Sequence, residues 1–210
     1  AFYRSLGDLN QIYIELNDLS KLIGKTYLGV ELQKIFILWS LKRFDEALTS
    51  LKVLYENQPD SIYVHYLLGR VYQQWGNITQ ADYWFKKIIE ESLYFIPANI
   101  QRIKLYEFQG QGQKALNLIQ ELTQSRFTTP QIFIFGASLY SKVESYEKAI
   151  NLLREGIKKF PDYHGFLFLI GVYQEKSGNI KACINTMVDV LRNEPNHSGA
   201  LNYLGYLWVE

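Results

Sequence analysis

The chain has 210 residues, of which 48% are hydrophobic and 20% are charged, and its formal net charge is +1. This composition is typical of a globular protein and argues against a disordered chain, a strongly basic nucleic-acid binder and a polybasic membrane-binding segment. The single cysteine, Cys183, excludes an internal disulfide, and no apolar run approaches the roughly 20 residues of a membrane-spanning helix.

The first predicted element is a helix over residues 9–23, in the segment LNQIYIELNDLSKLI. Its apolar residues recur at the three- and four-residue spacing of one helix face. They are Leu9, Ile12, Leu16, Leu19 and Ile23. We interpret residues 1–27 as a degenerate repeat half at the N-terminus, in which this helix is the second helix of an earlier unit.

From residue 28 onward the chain repeats with a period of 34 residues. The small residues that open an amphipathic segment at this period are Ala47, Ala81, Ala115, Ala149 and Cys183. The glycines that follow the same period are Gly76, Gly110 and Gly178. Such a period predicts a helix, a tight turn and a second helix in each unit, and the units bury their apolar stripes by stacking.

The period divides the chain into five repeats and a partial sixth. Their boundaries are 28–61, 62–95, 96–129, 130–163, 164–197 and 198–210. Gly-Asn at 76–77 and at 178–179 predicts a left-handed helix end followed by a cap for the next helix. The segment TTPQ at 128–131 predicts a helix start, because proline is favoured in the first turn.

Two further sets of positions follow the period. An apolar residue stands two positions after the turn in four repeats, at Phe44, Ile78, Tyr146 and Ile180, whereas the third repeat has Gly112 there. A second set lies in the first helices and consists of Ile35, Gly69, Ile103, Ala137, Gly171 and Gly205. Its small members predict a close approach between neighbouring helices.

This spacing, with the segments LLGRVYQQWGNITQA and LNYLGY, resembles the tetratricopeptide repeat, and the resemblance covers residues 28–210. It implies an all-α fold, a right-handed α–α superhelix (solenoid) of antiparallel helix pairs. Lys34-Ile35 departs from the Leu-Gly of the pattern, and Arg102 stands where an apolar residue is usual. These departures weaken the register of the first and third repeats without changing the predicted fold.

The sequence lacks the residue sets that catalysis or metal binding requires. His65, His164 and His197 form no pair at metal-ligand spacing, and GQGQ at 110–113 lacks the Lys-Ser/Thr ending of a phosphate loop. Cys183 occupies a small-residue position of the repeat and is interpreted as a buried filler. We therefore predict no catalytic residues, no metal, no cofactor and no enzymatic activity within these residues.

In the resembled family, the first helices of successive repeats line a concave groove that holds a peptide or a partner's segment. The resemblance implies that the residues at the equivalent positions of this chain's repeats line such a groove. These residues are Phe36, Tyr63, Tyr66, Arg70, Gln74, Gln101, Lys104, Phe108, Phe135, Ser138, Lys142, Phe168, Lys176, Asn202, Tyr203 and Tyr206. Arg70 and Lys104 are one period apart, as are Lys142 and Lys176, so the four form a basic ladder among aromatic residues. Such a surface suits a partner with apolar anchors and acidic groups. In the alternative interpretation, these long side chains only solvate the helices.

Residues 198–210 are predicted to form the first helix of a sixth repeat. Its apolar stripe comprises Leu201, Leu204, Leu207 and Trp208, and its second helix is not in the sequence. Two explanations remain open. Either the array continues in a longer chain, or this end face associates with another copy of the chain.

The leading hypothesis is therefore a non-catalytic protein–protein interaction module. The alternatives are a self-associating structural segment, or the recruiting arm of an enzyme or of a secretion or envelope assembly with other domains elsewhere. Nucleic acid is disfavoured as a partner by the net charge of +1 and by a period of 34 rather than 35 residues. The last repeat most resembles bacterial envelope- and secretion-associated repeat proteins, which fits a cytoplasmic and a periplasmic location equally.

Overall fold

The computed structural model describes residues 2–23 and 27–207, with side chains from residue 8 to 22 and from 27 to 206. All regular secondary structure in these residues is helical, which confirms the predicted all-α solenoid class. Two compact halves can be distinguished, residues 1–105 and residues 106–210, and the division falls within one helix.

The described residues contain twelve helices. The N-terminal half holds α1 (Phe2–Ile23), α2 (Leu28–Ser40), α3 (Phe44–Asn57), α4 (Ile62–Trp75) and α5 (Ile78–Lys86). Helix α6 (Phe95–Phe108) crosses the division. The C-terminal half holds α7 (Gly112–Gln124), α8 (Pro130–Lys142), α9 (Tyr146–Lys159), α10 (Gly165–Lys176), α11 (Ile180–Asn193) and α12 (Ser198–Leu207). Within each half, consecutive helices pack against each other.

The predicted helix ends at the Gly-Asn pairs are confirmed. Gly76 and Gly178 have φ angles of 87° and 82°, in the left-handed region that glycine adopts at low cost. The side-chain Oδ1 of Asn77 accepts a hydrogen bond from the Gln80 amide at 3.1 Å, and Asn179 does the same for the Ala182 amide at 3.2 Å. Each pair therefore ends a first helix and caps the second.

The left-handed position is kept in all five complete repeats. Gly110 has a φ of 69°, and at the same phase Lys42 and Glu144 have φ angles of 59° and 56° despite their side chains. The three glycines are visible in the sequence, but the two strained residues are not predictable from it, because lysine and glutamate have no particular preference for this conformation.

Replacing Glu144 by glycine is expected to raise the free energy of unfolding by about 0.5–1 kcal/mol. A left-handed residue with a Cβ is strained by roughly 1–2 kcal/mol, and the entropy that glycine loses on folding offsets part of that relief. Urea unfolding of the variant measures the change. Ser145→Gly is the matched control, since Ser145 has a φ of −84° and no such strain to release. Equal stability of Glu144→Gly and the wild-type chain would contradict the prediction.

Close packing of the two helices within a repeat depends on the sizes of two facing side chains, one at a fixed position of each helix. A Cβ at Gly69 would lie 2.5 Å from the ring of Phe85, and a Cβ at Gly171 would lie 2.6 Å from Cε of Met187. These two pairs are separated by three periods of 34 residues. At the same phases the fourth repeat carries Ala137 and Leu153, both fully buried. In these three repeats, a smaller residue in the first helix thus accompanies a larger one in the second.

His65 lies in the apolar core of the N-terminal half and is 6% exposed. Its Nε2 donates a hydrogen bond to the carbonyl of Pro59 at 2.8 Å, and its ring packs on Tyr55 and Trp84. Within the part of the chain that the structure describes, its buried Nδ1 has no hydrogen-bond partner. Burial lowers the pKa of the imidazole and outweighs the Pro59 hydrogen bond, which raises it. Burial therefore favours the neutral imidazole.

The free energy of unfolding is expected to fall as the pH drops below about 6.5. In that pH range His65 becomes protonated in the unfolded chain but not in the folded chain, where its pKa is lower. Protonation therefore favours unfolding. Above this pH range His65 is neutral in both states, and the dependence of the unfolding free energy on its titration vanishes. Each pKa unit of difference is equivalent to about 1.4 kcal/mol. Urea unfolding between pH 7.5 and pH 5.5 measures the effect. His65→Phe should abolish it and His164→Gln should retain it, and an unchanged pH dependence in His65→Phe would refute the assignment.

The structure extends the predicted first helix and shortens the second helix of the second repeat. Helix α1 begins at Phe2 rather than near residue 9. Helix α5 ends at Lys86, nine residues after its start, whereas the second helices α3, α9 and α11 have 14 residues each. Residues 87–94 are consequently irregular. The repeat boundaries themselves stay a prediction.

The predicted stripe of α12 is described only in part. Leu204 is buried and Leu201 is exposed, whereas Trp208 and the side chain of Leu207 lie outside the described residues. Self-association through this helix stays a prediction.

Candidate functional site

We call the sixteen predicted groove residues the first-helix face. None of the sixteen is buried. Eight are exposed: Phe36, Gln74, Lys104, Phe108, Lys142, Lys176, Asn202 and Tyr206. Eight are partly buried: Tyr63, Tyr66, Arg70, Gln101, Phe135, Ser138, Phe168 and Tyr203. Because the two halves are separate bodies, the first-helix face is described within each half.

The centre of the first-helix face in the N-terminal half is Arg70 on α4. Its guanidinium carbon lies 5.4 Å from the ring centre of Trp39 and 5.9 Å from that of Tyr66, so two aromatic rings fix its position. Its Nη1 donates a hydrogen bond to the Tyr66 hydroxyl at 3.2 Å. Trp39 is itself held by Gln74, whose Oε1 accepts a hydrogen bond from the indole Nε1 at 2.8 Å.

Arg70 retains unused hydrogen-bonding capacity. A guanidinium has five N–H donors, and in this structure one of its nitrogens donates to Tyr66 while its buried Nε has no acceptor. Among the residues that the structure describes, no carboxylate forms an ion pair with Arg70. The buried Nε cannot reach a partner, but the remaining N–H donors of the two Nη atoms are suited to bind a carboxylate or a phosphate.

Tyr63 and Tyr66 are partly covered by Tyr94, which sequence analysis did not identify. The Tyr94 ring centre lies 5.4 Å from that of Tyr63 and 5.1 Å from that of Tyr66. Tyr94 reaches them from the irregular segment that follows the short helix α5. The early end of α5 could not be predicted, because residues 87–94 contain no glycine or proline.

The third repeat continues this surface within the N-terminal half. Gln73 Nε2 donates a hydrogen bond to Gln101 Oε1 at 3.2 Å, which joins α4 to α6. Lys104, one turn further along α6, is exposed. The structure therefore brings Phe36, Tyr66, Arg70 and Gln74 into one connected set with Trp39. Gln101 is joined to the neighbouring Gln73, and Lys104 lies on the same helix as Gln101.

The C-terminal half differs in its charge. Lys142 on α8 forms an ion pair with Glu107 on α6, so its charge is largely compensated within the chain. This contact supports the alternative interpretation for Lys142. Lys176 is exposed and lines a shallow cavity with Glu144 and Glu147.

The other predicted groove residues of the C-terminal half differ in their exposure and contacts. Phe108 is 83% exposed. Phe168 packs edge-on against Tyr203, and the Tyr203 hydroxyl approaches a carboxylate oxygen of Glu175 at 3.5 Å. Phe135 and Ser138 on α8 are partly buried, and Asn202 and Tyr206 on α12 are exposed.

The described residues contain no group of three or more His, Cys, Asp or Glu side chains placed to hold a metal ion. Cys183 is fully buried, and burial raises the pKa of its thiol, which disfavours the reactive thiolate. Within the same residues, no helix is long and apolar enough to cross a membrane.

Comparison with known protein families matches residues 62–93 to the tetratricopeptide repeat. This segment contains α4 and α5, and therefore Arg70. A curated relative, a TPR repeat-containing protein of Pseudomonas aeruginosa, is 25% identical over 146 residues, which are 68% of this chain. The chain spans about a quarter of the length of that relative, since the match covers 24% of it.

Solved structures of tetratricopeptide-repeat proteins share the fold at low sequence identity. YrrB, described as a TPR protein with an unusual peptide-binding site, has a TM-score of 0.55 at 13% identity, covering 90% of this chain and 97% of its own. PilW, a type IV pilus biogenesis factor, has a TM-score of 0.57 at 20% identity, covering 96% and 93%. MamA of Desulfovibrio magneticus has a TM-score of 0.56 at 15% identity, covering 80% and 96%.

Proposed function

Because the chain is a tetratricopeptide-repeat protein, a class that serves as protein-interaction scaffolds, we propose that it binds an acidic segment of a partner protein on the first-helix face of its N-terminal half. Arg70 anchors a partner carboxylate, Lys104 adds a second positive charge, and the neighbouring aromatic residues hold apolar side chains of the partner. The observation that carries the proposal is the Arg70 guanidinium, positioned by Trp39 and Tyr66 without an acidic partner of its own.

The charge distribution supports the N-terminal half over the C-terminal half. Lys142 is compensated by Glu107, whereas Arg70 has no such carboxylate among the described residues. A partner acid at Lys142 would first have to displace Glu107. The predicted basic ladder is thus proposed to act mainly through Arg70, with exposed Lys104 one period further along the chain.

The solved relatives fit this proposal. YrrB has a peptide-binding site on a fold of the same class. The chain spans only part of its curated relative, so a role as the recruiting arm of a larger protein is compatible with the same binding surface.

The proposal is tested by selection of random 12-residue peptides, displayed on phage, against the immobilised chain. We expect the enriched peptides to contain Asp or Glu close to an aromatic or branched apolar residue, because both types of contact lie side by side around Arg70. Enrichment of peptides without acidic residues would contradict the assignment of Arg70 as a carboxylate anchor.

A further inference from the structure

A cavity of about 410 Å³ lies in the C-terminal half beside Gly112, the position at which the other repeats carry an apolar side chain. It is lined by Gly112 at the start of α7, by Leu116 one turn later, and by Leu139 and Val143 at the end of α8. A Cβ placed on Gly112 would meet no atom within 4 Å, so the space begins directly at the glycine.

The corresponding position in other repeats is filled by the chain itself. Phe44 and Ile78 pack against the core of the N-terminal half, and Tyr146 packs against the core around Phe133 in the C-terminal half. Three of the other four repeats therefore pack a large apolar side chain at this phase, the fifth has Ile180 at 41% exposure, and the third repeat leaves the place open.

We infer that the Gly112 cavity is a docking pocket for one large apolar side chain, aromatic or branched, of a partner protein. The chemistry of the occupant follows from the residues that fill the same place elsewhere in this chain. The inference rests on the proposed function, because it assigns an apolar anchor site to the same kind of partner.

The mouth of the pocket favours a polypeptide as the carrier of that side chain. Glu107 and Lys142 line it and pair with each other, which provides an acceptor and a donor beside the apolar walls. Backbone N–H and C=O groups of a bound segment require such partners when they are taken out of water. Lys142 also belongs to the first-helix face, so the pocket adjoins that surface within the C-terminal half.

Gly112→Ile fills the pocket from within and is the decisive variant. Gly112 is the first residue of α7 and does not have a positive φ, so an isoleucine fits its backbone. We expect the unfolding midpoint to rise by a few degrees, because apolar surface is buried and the unfolded chain loses freedom. Gly29→Ile is the matched control, since Gly29 is exposed in the first turn of α2 and its Cβ would also meet no atom within 4 Å.

The pocket is probed by titrating the full chain with N-acetyl-phenylalanine amide and observing backbone amide resonances by NMR. We expect shifts concentrated at residues 107–116 and 139–143, at least tenfold weaker binding to Gly112→Ile, and unchanged binding to Gly29→Ile. N-acetyl-alanine amide should produce no localised shifts. Shifts elsewhere in the chain, equal binding to Gly112→Ile, or a lowered unfolding midpoint of that variant would each overturn the inference.

The peptide selection separates this inference from the proposed function. With Gly112→Ile as the immobilised chain, the acidic and apolar preferences of the enriched peptides should be unchanged, because Arg70 and its aromatic neighbours lie in the other half of the chain. The peptide selection therefore tests Arg70 alone, and the NMR titration tests the pocket alone.

Discussion

Replacing Gly69 by alanine is expected to lower the free energy of unfolding by about 2 kcal/mol, although alanine is the better helix former. The new Cβ would lie 2.5–2.9 Å from three ring atoms of Phe85, closer than van der Waals contact permits. Phe85 is 1% exposed and surrounded by the core of the N-terminal half, so its ring has no open space to enter. Urea unfolding of the variant measures the loss.

A second substitution should recover part of that loss. Phe85→Leu alone leaves a void and is expected to cost stability, but Gly69→Ala with Phe85→Leu reproduces Ala137 and Leu153, the residues at the same phases of the fourth repeat. We expect a coupling energy of about 1–2 kcal/mol in the double-mutant cycle, as is found for residues in direct contact. Additive effects of the two substitutions would show that Gly69 and Phe85 do not form a size-matched pair.

Neutralising Arg70 and Lys104 is expected to weaken binding of the selected acidic peptides on the order of 100-fold. Each charge-assisted hydrogen bond contributes roughly 1.5–3 kcal/mol, and about 1.4 kcal/mol corresponds to a factor of ten. The variant is Arg70→Gln with Lys104→Gln, and fluorescence anisotropy of labelled peptide measures the affinity. Glutamine is preferred to glutamate because Arg70 packs on two aromatic rings, where a carboxylate would lower stability as well as binding.

The matched control neutralises two exposed lysines on second helices, Lys52→Gln with Lys114→Gln. It changes the net charge by the same amount and leaves the first-helix face intact. We expect its affinity for the peptides to remain within about threefold of the wild-type value, since long-range charge effects are screened at physiological salt. Equal losses in both double variants would mean that only the net charge attracts the peptides.

Most of the fold that was predictable from the sequence follows from the 34-residue repeat period. A fixed 34-residue spacing of small residues and turns requires a helix pair in each unit, and all five turns indeed adopt the same left-handed conformation. The departures from the pattern are accommodated by local ion pairs. Buried Lys34 pairs with Glu31 at 2.9 Å, and Arg102 pairs with Asp82 at 2.9 Å.

The parts that were not predictable depend on contacts between distant residues or on irregular backbone. The phase identified which residues of each first helix share a face, but not that Glu107 compensates Lys142 or that Trp39 and Tyr66 hold Arg70. The early end of α5 placed Tyr94 over Tyr63 and Tyr66, a contact that the period does not encode. Gly112 was visible as an exception to the pattern, yet only the structure shows the cavity that results.

Binding of a partner to the first-helix face of the N-terminal half can be mapped by NMR. Backbone amide shifts are recorded in the full chain on addition of the highest-affinity selected peptide. We expect the largest shifts in α2, α4 and α6 around Trp39, Arg70 and Lys104, and their loss in Arg70→Gln with Lys104→Gln. Shifts confined to the second helices α3 and α5, or to α12, would mean that the binding surface lies elsewhere on the chain.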